Sequence, residues 1–379
     1  AAYPATRCHP IGSQTRPRKP ESHAPPVSAR RRDAVRPILP ASALVLLLAC
    51  FHGMASPQDA DPEKTAAELL TPAADRTIER GLEFLASRQH DDGSFGSGSY
   101  RGNVAISALA GLAFMSGGST PGRGPYGDRV AQSVDYLLAN TQTSGFINHP
   151  PSASHGPMYG HGFATLFLAE CYGMSRRPNL REKLESAVLL IVNTQNDDGG
   201  WRYRPQRHDA DLSVTICQVM ALRAARNAGL RVPREAIDRS IDYVKRSQNP
   251  DGGFMYQLQG GESAFARSAA GVVTLYSAGV YEGPEIDRGI AYLMKFLPAQ
   301  GVVRRGEPYY FYGHYYAVQA MWQAGGDAWA RWYPAVRDEL IAKQEDEGFW
   351  RSPISNEYAT AMACIILQVP NNYLPIFQR

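Results

Sequence analysis

Cysteine is scarce here: five residues in a chain of 379, and no two of them in a C-x-x-C spacing. Neither a cysteine-based zinc module nor the disulfide framework of a small secreted domain fits that usage. Cys171, Cys217 and Cys364 fall within apolar helical stretches and read as buried free thiols. Strand-type alternation is absent, which removes β-sheet architectures. An excess of one charge is absent too, once the N-terminal part is set aside. Residues 1–55 hold eight of the 39 Lys and Arg and two of the 36 Asp and Glu, leaving 31 against 34, a net −3. That balance implies no nucleic-acid partner, and no cofactor is implied.

Long apolar runs are missing as well. The one candidate, residues 38–49, follows Arg30, Arg31, Arg32 and Arg36 and falls short of the roughly 20 residues a spanning helix needs. A basic stretch, a short apolar run and then small residues form the pattern of a secretory signal. Gly53 and Ala55 favour cleavage before Ser56. Leu47-Leu48-Ala49-Cys50 instead resembles a lipobox, which would lipidate Cys50 and associate the protein with a membrane. Either way the expectation is an exported protein of the periplasm or cell envelope. Residues 1–55 are then leader, 56–74 linker, 75–368 the folded domain, and 369–379 a tail kept extended by its two prolines.

What is present is a repeat. An amphipathic helix ends in Gln, an Asp/Gly turn and an aromatic residue follow, and then comes a second helix that is apolar nearly all round. The copies span residues 81–95, 133–146, 187–201, 240–254 and 336–349. Gln89, Gln142, Gln195 and Gln248 are each 53 residues apart, and Gln344 follows 96 later, about two shorter periods. A degenerate fifth copy, residues 289–297, keeps its helix but runs into Pro298 without the turn. Polar-faced helices outside and apolar helices inside predict an all-α toroid. Its six helix hairpins form two concentric rings, closed so that no end needs a cap.

Helix, Gln, Asp-Gly-Gly, aromatic residue and inner helix resemble the QW-type repeat of squalene and oxidosqualene cyclases. They also look like the repeat of protein prenyltransferase β-subunits. The likeness covers residues 75–368 and implies an α/α toroid whose functional place is a central cavity. For the cyclases it further implies a DxDD motif, whose central Asp protonates an alkene or epoxide. The matching stretch here is His208-Asp209-Ala210-Asp211-Leu212, at an inner-helix start. Asp211 is then the candidate acid, aided by Asp209 and His208. Leu212 stands where the last Asp is expected, and this puts protonation in doubt, because a neighbouring carboxylate helps tune the acid. Full squalene cyclases also use two helical domains, and one is present here. For the prenyltransferases the likeness implies zinc held by Asp, Cys and His. Asp211 and Cys217 lie six apart, not at the Asp-x-Cys spacing, so no zinc is expected. A different metal set, from His161, Asp211, His314 and Glu357, depends on the width of the cavity.

One polar position per repeat stands at or just before each inner-helix start: Asn103, His161, Asp211, Arg267, His314 and Glu357. Capping accounts for Asn103, Asp211 and Glu357. A cation opposes the helix dipole there, so capping does not account for Arg267 and the two histidines. The set is expected to form a ligand-binding mouth, with Asn103, His161, Arg267, His314 and Glu357 as its ligand-binding residues. Tyr310 and Tyr312, in the aromatic run 309–316, either line the cavity or pack where the fifth turn is lost. Polysaccharide-cleaving toroids use acidic pairs, a use that Asp209 with Asp211, and Glu357, leave open. Two functions stand in front: a cavity that binds a small apolar, isoprenoid-like ligand or a peptide, and a cyclase or isomerase with Asp211 as its acid.

Overall fold

The computed structural model describes residues 68–298 and 309–378; the leader, Cys50, the Ser56 cleavage position and most of the linker lie outside the described residues. Twelve α-helices are described. The odd-numbered ones are α1 (Pro72–Arg88), α3 (Gly127–Ala139), α5 (Leu180–Thr194), α7 (Arg234–Arg246), α9 (Pro284–Met294) and α11 (Gly326–Lys343). The even-numbered ones are α2 (Val104–Ser116), α4 (Pro157–Tyr172), α6 (Leu212–Asn227), α8 (Phe265–Ala278), α10 (Tyr310–Ala324) and α12 (Asn356–Gln368). Among the described residues there is no strand, only isolated bridges in turns.

Burial follows the sequence pattern. In α7 the buried residues are Ala236, Ile237, Ser240, Tyr243 and Val244, one stripe of a 3.6-residue period, so this helix lies outside with its other face in water. In α2 every residue except Ala105 is buried, which places it inside. Each even-numbered helix packs on the next, and α12 returns to α2. The inner ring is therefore closed, with Gln368 Nε2 donating to the Ala113 carbonyl at 3.1 Å across the seam. No described helix is long and apolar enough to cross a membrane.

The repeat glutamines act as stitches. Gln195 Nε2 donates at 2.9 Å to the Gly199 carbonyl in its own turn and at 2.9 Å to the Ala236 carbonyl in the next outer helix. Gln344 does the same with Gly348 and Thr77, at 2.9 and 2.8 Å, which ties the last copy to the first. Glycine is required in these turns on two counts. Gly199 has φ +97°, and a Cβ there would stand 2.2 Å from the Arg239 carbonyl oxygen.

Two copies sit one residue away from the register expected of them. The Gln142 amide donates to the Phe146 carbonyl at 3.0 Å, as the Asn196 amide does to Gly200 at 3.0 Å. Gln142 thus matches Asn196, the residue after the repeat Gln; Thr141 fills the Gln position, and Gln142 is exposed. In the last copy Glu345 makes the same bond to Phe349. The inward side chains are accordingly Ile147 and Trp350, not Phe146 and Phe349. Phe95, Ile147, Trp201, Phe254 and Trp350 are all within 1% of complete burial. The even 53-residue spacing concealed a shorter interval followed by a longer one.

The C-terminal segment is not extended. It forms two single 3₁₀ turns, Val369–Asn371 and Pro375–Phe377, each with proline near its start, a place where the fixed φ suits a helical turn. Leu374, Ile376 and Phe377 are buried, and Trp322 Nε1 donates to the Phe377 carbonyl at 2.9 Å. Cys171, Cys217 and Cys364 are buried and free.

Candidate functional site

All six inner helices begin on one face of the ring, and their first turns enclose a cavity of about 830 Å³. Its wall is aromatic: Tyr159 and Phe163 from α4, Phe265 from α8, Tyr312 from α10 and Tyr358 from α12. The connecting loops add Tyr203, Tyr256 and Phe296, and the outer helix α9 adds Tyr292. Val104, Ile106 and Leu109 of α2 make the aliphatic part. Arg267, His149 and His155 are the basic side chains of the wall, and among the described residues no Asp or Glu lines it.

A second regularity explains where the histidines go. One turn inside five of the six inner helices, a side chain accepts the amide of the residue pointing inward from the preceding turn. Ser107 accepts from Phe95 at 2.9 Å, Thr215 from Trp201 at 3.1 Å, Ser268 from Phe254 at 2.9 Å and Thr360 from Trp350 at 3.2 Å. In the second copy the acceptor is His161 Nδ1, 3.2 Å from the Ile147 amide, while Nε2 faces the Ala187 carbonyl at 3.2 Å. Those partners fix the tautomer with its proton on Nε2. Burial holds the imidazole down at about pKa 4, against the Ala187 carbonyl. His161 does not line the cavity.

The six expected mouth positions therefore mix registers. Asn103 and Asp211 are true caps, whereas His161 is the fifth residue of α4 and His314 the fifth of α10. His314 packs among Phe265, Tyr310 and Trp332, with centroids 5.0, 4.5 and 6.0 Å away. Glu357 is not a cap either. Ser355 caps α12, and the buried Glu357 accepts from Ser97 Oγ at 3.0 Å and pairs with Arg88 at 3.4 Å. Because His161, Asp211, His314 and Glu357 are engaged separately, they form no common metal set, and no cluster of three such ligands exists among the described residues.

Asn103 caps α2 by accepting from Ala105 and Ile106 at 2.9 and 3.2 Å, and it also lines the cavity. Arg267 and Tyr312 line it too. Tyr312 donates to the Ser213 carbonyl at 2.7 Å, next to the start of α6. Tyr310 turns away, with its ring 3.6 Å from Lys343 Nζ.

Asp211 lies just behind this wall, fully enclosed. Its Oδ1 accepts the Val214 amide at 2.9 Å, and Oδ2 meets Arg202 Nη1 at 3.3 Å. Burial pushes the carboxyl up to about 6, while the Val214 amide and the Arg202 guanidinium pull the other way. Arg202 also reaches Asp209 at 3.3 Å, so one guanidinium spans the two acids. Its plane lies over the rings of Tyr203 and Tyr256, whose hydroxyls bond to each other. Asp209 is half-exposed, and His208 points into solvent 3.5 Å from it. The sequence reading missed Arg202 and its tyrosine sandwich, since these loop residues carry no periodic signal. The Arg-Tyr dipeptide directly after Trp201 was the one visible hint.

Fold, repeat and cavity define the class: the chain is a squalene-cyclase-like α/α toroid. A profile of the squalene-hopene cyclase C-terminal domain matches residues 147–305. Among characterised proteins the chain is similar to drimenyl diphosphate synthase of Streptomyces showdoensis, 27% identical over 208 residues, which are 54% of this chain and 37% of that enzyme. A drimenyl diphosphate synthase of Streptantibioticus cattleyicolor is 30% identical over 115 residues, 30% of this chain and 21% of its own length. The alignments thus span little more than a third of the first relative and a fifth of the second. Among solved structures, the type II terpene cyclase MstE from Scytonema superposes with a TM-score of 0.56 at 14% identity, covering 80% of this chain and 100% of that one. An α-1,6-mannanase of Salegentibacter superposes with 0.56 at 10% identity, covering 79% and 99%. These two likenesses concern the fold alone.

Proposed function

We propose that this toroid is an exported protein that binds a small apolar, isoprenoid-like molecule in its mouth cavity. The observation that carries the reading is the wall itself: a cavity of about 830 Å³ lined by rings from four inner helices, the outer helix α9 and the loops between the helices. That volume is within the range of small-molecule sites, roughly 300–1,000 Å³, and favours a compact ligand over a peptide. Lipids extracted from the purified full chain, identified by mass spectrometry, are expected to be enriched in a polyprenyl compound relative to a mock purification. An extract without isoprenoids, together with no binding of added polyprenols, would refute it. The export half of the proposal rests on the basic stretch and apolar run of residues 30–49. Sequencing of the mature N-terminus is expected to give Ser56 or a lipidated Cys50; an uncleaved chain in the cytoplasm counts against it.

A second reading, a class II isoprenoid cyclase, is favoured by Asp211. A carboxyl raised to about 6 keeps a proton to mildly acidic pH beside an aromatic cavity, and two relatives are drimenyl diphosphate synthases. Reaching the ligand then requires Asp211 to exchange its Arg202 contact for one into the cavity. Asp211→Asn keeps the cap and is expected to abolish turnover of a polyprenyl substrate with little change in melting temperature. A variant that turns over like the wild type, or a wild type inert across a polyprene panel, disposes of this reading.

A further inference from the structure

We propose that the molecule taken into the cavity carries an anionic head, gripped by Arg267; this rests on the cavity being the ligand site argued above. Arg267 is the third residue of α8, a helix whose cap residue, Ala264, offers no side-chain acceptor. Its Nε donates to the Phe254 carbonyl at 3.1 Å and Nη2 to the Glu262 carbonyl, so the guanidinium is fixed against the wall. Among the described residues no carboxylate pairs with it.

The position is unfavourable for a cation left alone. A positive charge in the first turn opposes the helix dipole, and no acidic side chain lines the wall around it. The only other ionisable basic groups of the wall are His149 and His155, which add no negative charge. Glu262 meets Arg267 through its backbone carbonyl and forms no ion pair with it. Asp251 accepts from Ser263 Oγ and the Gly253 amide, Asp211 is held by Val214 and Arg202, and Glu357 by Ser97 and Arg88. The cavity therefore holds a fixed cation with nothing inside to balance it. Planar guanidinium groups suit the paired oxygens of phosphate, diphosphate or carboxylate. The rings around it suit the polyprenyl chain.

Calorimetric titration of the full chain with farnesyl diphosphate, farnesoic acid and farnesol tests this. The wild type is expected to bind at least one of the two anions about tenfold or more tighter than farnesol. Comparing the two anions separates a phosphate head from a carboxylate head. The preference is expected to collapse in Arg267→Gln, to persist in part in Arg267→Lys, and to shrink as salt rises. Thermal melting reports whether each variant is folded; if Arg267→Gln is not, the lysine variant and the salt series decide. Equal affinity for all three ligands, or a preference untouched by both substitution and salt, overturns the anionic head and leaves the cavity as a neutral-isoprenoid site. Failure of every ligand to bind overturns both readings.

Discussion

His161 and Asp211 are buried ionisable groups whose charged forms burial disfavours, with opposite consequences for pH. His161 titrates near 4 in the folded protein against an ordinary 6.5, so folding releases its proton. Its contribution is complete above pH 6.5 and is lost as pH falls through 4, on the order of 3 kcal/mol. Asp211 titrates near 6 against 3.8, so the folded state holds the proton more tightly, and that contribution is lost as pH rises from 3.8 through 6. Glu170, raised by burial to about 7 against the Ile376 backbone and Arg223, behaves like Asp211 over a window reaching up to 7. His161→Thr, the residue type serving at Thr215 and Thr360, keeps an acceptor for the Ile147 amide. It is expected to flatten the loss of stability between pH 6.5 and 4, and to cost about 1–3 kcal/mol at neutral pH through the space it leaves. Urea denaturation of both proteins across that range measures the difference; parallel profiles would show that His161 does not set the acid limb.

At the level of helices and turns, the Gln stitches allow a direct comparison. Gln195→Ala removes donors to two carbonyls in a buried turn and is expected to destabilise by about 1–3 kcal/mol. Gln142→Ala, on an exposed side chain outside the stitch position, is expected to change stability by less than about 0.5 kcal/mol. Equal losses in the two variants would restore the register in which Gln142 is a repeat glutamine. Gly199→Ala combines a left-handed φ with a blocked Cβ, and a loss of about 2 kcal/mol or more is expected. The hairpins, their inside-outside alternation and five of the six turns were legible in the sequence, because burial imposes a period on every helix. The register of the second and sixth turns was not. A one-residue shift between two aromatics, Phe349 and Trp350, leaves the hydrophobic pattern unchanged, and only the backbone hydrogen bonds tell them apart. The cavity wall was legible where it belongs to helices, at Asn103, Arg267 and Tyr312. It was illegible at Tyr203 and Tyr256, and so was Arg202 stacked on them, because loops bring these three together.

For the ring as a whole, closure and the C-terminal segment share the work of stability. Removing residues 369–379 takes away the buried side chains of Val369, Leu374, Ile376 and Phe377 and the acceptor of Trp322 Nε1. A loss on the order of 5 kcal/mol is expected, with dye binding to newly exposed apolar surface at the end of the ring away from the mouth. A truncated ring that melts like the intact one would show that helix closure alone suffices. Every outer helix climbs toward the mouth and every inner helix descends from it. Pro72, at the start of α1, is therefore about 25 Å below the mouth, and Gln368, at the end of α12, about 20 Å below it. The first and last described helices of the ring thus begin and end on its floor. A ring trimmed to residues 68–378 and immobilised on a sensor surface through either of those ends consequently presents its opening to the flowing solution, and a fusion partner joined there leaves the passage of a ligand unobstructed.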